Sequence, residues 1–303
     1  MFALAVANRS LALAKLGRAA AALADTELAL DSGYPGHSRA KLLERRERQS
    51  RALASGGAGA GAGCGGEGEG DTVNPAVPAF RDSVRICYSE DRGRYGVATR
   101  DLQPGETVLT ERPVAAALKP EHAAHYCDAC WARVPAAERV PCPRCCAVVY
   151  CSAACGRVSR ARGHALECGR DIAARWALVA AAVCGEQATI SPSHHLLCYR
   201  VITRQPLHYW LDHGAALLAG DARRGAGDTR RGAGEQFLSQ DHASLFSLLS
   251  HAAATAARVR GEQLVSAWVQ LRQLEQAGYL QLRDPGAAQL LARLVLRTLG
   301  TMR

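Results

Sequence analysis

Alanine and leucine recur at helical spacing in two runs across residues 2–31, with Gly17 between the runs and Gly33, Tyr34 and Pro35 after the second. That period, with those breakers, predicts a helical hairpin. Ala12, Ala22 and Ala29 are small enough to let two helices approach closely. A third helix is expected over residues 38–53, stacked on the pair, so that 1–53 forms one helical segment. Residues 55–70 read SGGAGAGAGCGGEGEG. They have almost no side chains to bury and cannot offset the entropy of ordering, which predicts a linker over 54–72.

Beyond the linker the period changes to two. Val84, Ile86 and Tyr88 alternate with Arg85 and Cys87, and a Pro104-Gly105 turn follows, so 73–120 is expected to hold short strands and tight turns. From Ile172 onward three-and-four spacing returns in LFSLLSHAAATAARV, EQLVSAWVQLRQLEQAGYL and AAQLLARLVLRTLG. GDARRGAGDTRRGAGE, at 220–235, interrupts these helices as a low-complexity loop. The expected class is α+β and multidomain: a helical start, a β-rich segment, a cysteine-rich segment over 121–170 and a helical part over 171–303.

Composition narrows the function. With 303 residues and 48% apolar content the chain is long enough for two or three domains. The charge of +9 is almost wholly arginine, since Lys15, Lys41 and Lys119 are the only lysines. No dense basic run or aromatic platform accompanies it, so nucleic acid is not the expected partner. The first residues lack a basic segment ahead of their apolar stretch and are broken by Asn8 and Arg9, unlike a secretory signal. Nothing approaches an uncharged membrane span, and an intracellular chain is expected. In a reducing compartment its 12 cysteines are expected to be thiols or metal ligands, not disulfides.

Their spacing favours metal. Cys127-x2-Cys130, Cys142-x2-Cys145, Cys151-x3-Cys155 and His164-x3-Cys168 make four pairs. A Cys-x2-Cys turn aims two thiolates at one point, and a three-residue gap on a helix puts two donors on one face. Four pairs make two closed tetrahedral sites with no position left for water, and soft thiolates select Zn²⁺ over Mg²⁺ or Ca²⁺. One site is Cys₄ and the other Cys₃His, whichever way the pairs combine. Cys146 adjoins Cys145 and competes with it, but the register with Cys142 favours Cys145. Cys64, Cys87, Cys184 and Cys198 have no partner at ligand spacing and are expected as free thiols.

This run, with Tyr150 before Cys151, resembles the MYND zinc finger. The resemblance implies an interleaved pairing: Cys127, Cys130, Cys151 and Cys155 on one zinc, Cys142, Cys145, His164 and Cys168 on the other. Gly156 departs from the glutamine usual there, and the tryptophan expected before His164 is missing; both losses bear on peptide binding more than on metal. DRGRYGVATRDLQPGETVLTERPV, just ahead, resembles the opening strands of a SET domain, and ANRSLALAKLG with AALADTELALDSGYP resembles a tetratricopeptide repeat. That order of segments resembles the SET-and-MYND family of protein-lysine methyltransferases.

The family resemblance implies S-adenosylmethionine as methyl donor, with Arg92, Gly93 and Arg94 in the loop that meets it and His251 as a further contact. It also implies lysine-bearing protein substrates, proline-rich peptides at the finger, and residence in cytoplasm and nucleus. The family's Asn-His catalytic segment has no counterpart here, because the only asparagines are Asn8 and Asn74. The chain is therefore expected to be a fragment that stops before the catalytic half of SET and transfers no methyl group by itself. A zinc-dependent interaction module without catalysis is the alternative.

Overall fold

The structure is a computed structural model that describes residues 2–55, 74, 79–89, 93–111, 113–222, 245–246 and 255–302. The elements run α1 (Phe2–Lys15), α2 (Ala19–Asp31), α3 (Arg39–Ser55), β1 (Val84–Ser89), β2 (Gly93–Ala98), β3 (Val140–Pro141), β4 (Val149–Tyr150) and α4 (Ala153–Ser159). Then come α5 (Ala165–Glu167), α6 (Ile172–Val183), α7 (Pro192–Thr203), α8 (Leu207–Ala222), α9 (Ala257–Gln276) and α10 (Pro285–Thr301). The chain divides into two units: residues 1–64 with 118–170, and 65–117 with 171–303. Among the described residues it is mostly helical with two small sheets, and the helices expected over 2–31, 38–53 and in the last two apolar runs and the strand expected from Val84 are present. Most of the expected linker, of the loop at 220–235 and of LFSLLSHAAATAARV lies outside the described residues.

In the first unit α1 buries Ala3, Val6, Ala7, Ser10 and Leu13, a stripe at three-and-four spacing that packs on α2. Gly17 ends α1 at φ 71, where a side chain would be strained. Arg18 N–H reaches Leu13 O at 2.9 Å and Gly17 N–H reaches Ala14 O at 3.1 Å, closing the helix in a Schellman motif. α3 is fastened to both helices: Arg45 donates to Ala7 O at 2.8 Å, and Thr26 Oγ1 to Gln49 Oε1 at 2.7 Å. Asp25 is buried at 1% exposure and takes both oxygens' worth of hydrogen bonds from Arg9, each 2.6 Å.

The helices do not close their core alone. Val6, Ala7, Leu28, Ala29, Leu30 and Leu42 share one apolar cluster with Cys127, Val134, Val140, Cys142 and Tyr150 of the cysteine-rich segment. Arg9 extends the link by donating to Arg139 O, and Arg18 pairs with Glu138.

The second unit carries the hairpin β1–β2, antiparallel from Val84↔Ala98 to Ser89↔Gly93. Its helices surround Trp176, Tyr199, Ile202, Trp210, Leu274, Leu291, Leu294 and Val295, all fully or almost fully buried. α8 and α10 meet at Gly214, where an added Cβ would lie 3.2 Å from Leu294 and 3.3 Å from Leu290. His195, without solvent exposure, stacks on Trp176 with ring centroids 4.8 Å apart. Its ring nitrogens bond Ser266 Oγ at 2.9 Å and Gln273 Oε1 at 3.0 Å. Burial, only partly offset by the Gln273 bond, lowers the imidazole to about 4, so it stays neutral at physiological pH. No helix among the described residues is long and apolar enough to cross a membrane.

Candidate metal centre

Two knuckles with the same backbone build the centre. Trp131 N–H donates to Cys127 O at 2.9 Å, and Cys146 N–H to Cys142 O at 3.1 Å. In each knuckle the residue after the second cysteine takes a left-handed conformation, Trp131 at φ 61 and Cys146 at φ 54. This explains why Cys146, exposed and in the turn, belongs to neither donor cluster. The third pair sits at a helix start: Cys151 follows β4, Ser152 caps α4 by accepting Cys155 N–H at 3.1 Å, and Cys155 lies in the first turn. Gly163, at φ 125, kinks the chain between α4 and α5. Ser159 Oγ–H donates to Asp128 Oδ2 at 3.0 Å, tying α4 to the first knuckle.

The eight spaced donors fall into two groups: Cys127, Cys130, Cys151 and Cys155; and Cys142, Cys145, His164 and Cys168. Within each group all donor atoms lie within 4.8 Å of one another. This is the interleaved grouping that the resemblance implied. A tetrahedral ion with Zn–S of ~2.3 Å and Zn–N of ~2.0 Å requires S···S edges of roughly 3.8 Å and S···N edges of roughly 3.5 Å. In the first group Cys130–Cys151 is 3.6 Å and Cys151–Cys155 is 3.5 Å. In the second, Cys142–Cys168 is 3.8 Å, and His164 Nε2 lies 3.3 Å from Cys142 Sγ and 3.6 Å from Cys145 Sγ. These edges are far longer than a disulfide and fit Zn²⁺ in both groups.

Electrostatics point the same way. Burial pushes the Cys142 thiol up, but the Arg144 and Cys145 N–H groups and His164 outweigh it and bring it down to about 6. Cys127 is likewise raised by burial and lowered overall by the N–H groups of Cys130, Cys151 and Ala129. Burial raises Cys168 to about 12, and the neighbouring Cys142 and Cys145 add to the rise. Cys145 and Cys151 are raised by burial first and by adjacent thiolates next. A divalent cation between the sulfurs turns that repulsion into attraction, and binding releases protons.

No protein-family profile matches the chain. It is 27% identical over 190 residues to the protein-lysine N-methyltransferase SMYD4 of Danio rerio, a match covering 56% of this chain and 25% of that protein. Over that stretch the chain is similar to a protein-lysine N-methyltransferase, and it spans about a quarter of that protein's length.

Of the residues expected to meet the methyl donor, two lie among the described residues. Gly93 and Arg94 open β2, Gly93 opposite Ser89 and Arg94 opposite Tyr88. Arg92 and His251 lie outside the described residues. Of the cysteines expected free, Cys198 is fully buried, and burial pushes its thiol up to about 12. His195 and Glu262 were not singled out from sequence. Glu262 accepts from Thr189 N–H at 2.8 Å, Thr189 Oγ1 at 2.6 Å and Ile190 N–H at 2.7 Å, stapling α9 to the approach to α7. A lone polar residue on a helix carries no sequence signal for such a role.

Proposed function

We propose that the chain is the two-zinc portion of an S-adenosylmethionine-dependent protein-lysine N-methyltransferase of SET-and-MYND type. The observation that carries this is the pair of four-donor clusters at tetrahedral spacing, in a chain related to a lysine methyltransferase. S-adenosylmethionine, when bound, supplies a methyl group on a sulfonium centre. The segment holding β1 and β2 is read as the opening of SET, with Arg92, Gly93 and Arg94 assigned to the part that meets the donor; a glycine in that role lets backbone approach the donor and a cation faces its carboxylate. The helices α1–α3 are read as tetratricopeptide-like. Cytoplasm and nucleus are the proposed compartments, and lysine-bearing proteins the substrates.

Methyl transfer to lysine also requires a deprotonated amine held in line with the methyl carbon. The 303 residues contain no asparagine after Asn74 and hence no Asn-His pair beyond the finger. Purified chain incubated with radiolabelled S-adenosylmethionine and candidate proteins is expected to give no transfer while containing two zinc ions; chain-dependent labelling would overturn that division of labour.

A second reading, an interaction module that grips proline-rich peptides at the finger, is favoured by the common core of finger and helices, which offers a rigid platform. Capture of a proline-rich peptide by the chain without cofactor, and its loss in Cys142→Ser, are the expected results; equal capture by the variant counts against it.

A further inference from the structure

A cavity of about 290 Å³ opens beside the metal centre, lined by His125, Arg133, Val134, Pro135, Ala136 and Arg139. None of the eight metal donors lines it. Its frame is fixed by backbone bonds: Val134 N–H to His125 O at 2.8 Å, Glu138 N–H to Pro135 O at 2.9 Å, and a bridge between Tyr126 and Arg133. Three of its six lining side chains carry nitrogen donors, and none is a carboxylate.

Arg139 is held in place from several sides. Its Nη2 lies 2.8 Å from His125 Nδ1, its Nε donates to Val134 O, and its carbonyl accepts from Arg9. Arginine can only donate, so His125 Nδ1 accepts and the imidazole keeps Nε2–H as a donor. The Arg133 guanidinium is exposed and has no side-chain partner among the described residues. The nearby carboxylates are committed elsewhere, Asp25 to Arg9 and Glu138 to Arg18. Two guanidiniums and an imidazole N–H thus face one space with no counter-charge lining it, and Val134, Pro135 and Ala136 form an apolar wall beside them. Forked guanidiniums match the geometry of carboxylate and phosphate oxygens.

We propose that this cavity binds an oxyanion carried on an extended peptide, the anion meeting Arg133, Arg139 and His125 while the flanking chain lies along Val134, Pro135 and Ala136. The site is separate from the metal donors and does not depend on methyl transfer. An acidic residue or a phosphorylated one supplies the same chemistry.

The test is fluorescence polarisation with three labelled peptides that differ only in a glutamate, a glutamine or a phosphoserine at the centre, on the zinc-loaded chain. The glutamate peptide, the phosphoserine peptide or both are expected to bind about tenfold tighter than the glutamine one. Whichever does so identifies the source of the anion. Arg133→Gln, whose zinc content is measured alongside, is expected to abolish that preference. Arg260→Gln, an exposed arginine of the other unit, is expected to keep it. Should Arg133→Gln lose zinc, Ala136→Asp, which sets a carboxylate in the cavity from an exposed position, replaces it with the same expected loss. Equal binding of glutamate, phosphoserine and glutamine peptides, retention of the preference in a zinc-replete cavity variant, its loss in Arg260→Gln, or binding of inorganic phosphate as tight as the peptides would overturn the proposal.

Discussion

Replacing Asp25 by asparagine isolates the link between helices and metal centre. Asp25 is 1% exposed and holds Arg9 by two bonds of 2.6 Å, while the Arg9 side chain is 29% exposed. Removing one partner of a fully buried pair costs ~3–5 kcal/mol, and charge-assisted hydrogen bonds are each worth ~1.5–3 kcal/mol. Asparagine keeps one acceptor, and Arg9 recovers some hydration through its exposed part, which brings the expected cost to about 2 kcal/mol. At ~4 °C per kcal/mol for a unit of this size, the melting transition of the first unit should fall by about 8 °C. The distinctive consequence lies elsewhere: the same Arg9 also donates to Arg139 O, so zinc should be lost sooner to a chromogenic chelator. A variant whose helices melt earlier while its zinc release matches the parent would refute the coupling of helices and finger through one core.

Cys142→Ser is expected to halve bound zinc, measured by atomic absorption, because it removes a donor from only one cluster; retention of both ions would contradict the interleaved grouping. In the second unit His195 has a folded value of about 4 against ~6.5 in the unfolded chain, so unfolding takes up a proton in that window. Its contribution is present above ~6.5, and about 3 kcal/mol should be lost as pH falls to ~4; His195→Gln, less stable at neutral pH, should show a flatter slope in urea titrations across that range. Gly214→Val should cost ~1–3 kcal/mol by prising α8 from Leu290 and Leu294, read as a lower urea midpoint without change in zinc content.

The donors could be read from spacing because a two-residue gap between cysteines has one local geometry that points both sulfurs together, whatever the rest of the chain does. Helices α1, α2, α9 and α10 were legible for a similar reason, since their apolar period is local. The common core was not. Ala7 and Ala29 look like ordinary helix-packing residues, and nothing in their spacing says that Cys127 and Tyr150 will cover the cluster they belong to. His195 escaped notice because its partners, Ser266 and Gln273, lie on α9, far along the sequence. The competition between Cys145 and Cys146 was open to sequence reasoning only through register, and the left-handed turn at Cys146 supplies its physical basis.

Because residues 1–64 and 118–170 make one unit, α1 and α2 leave a ribosome with an unfinished interior until more than a hundred further positions have been translated. Meanwhile Val6, Leu28 and Leu42 have no lid, and a chaperone or premature self-association competes for them. Metal uptake then becomes the late event that seals this unit, and zinc scarcity during synthesis would be felt first as aggregation of helices that bind no metal themselves.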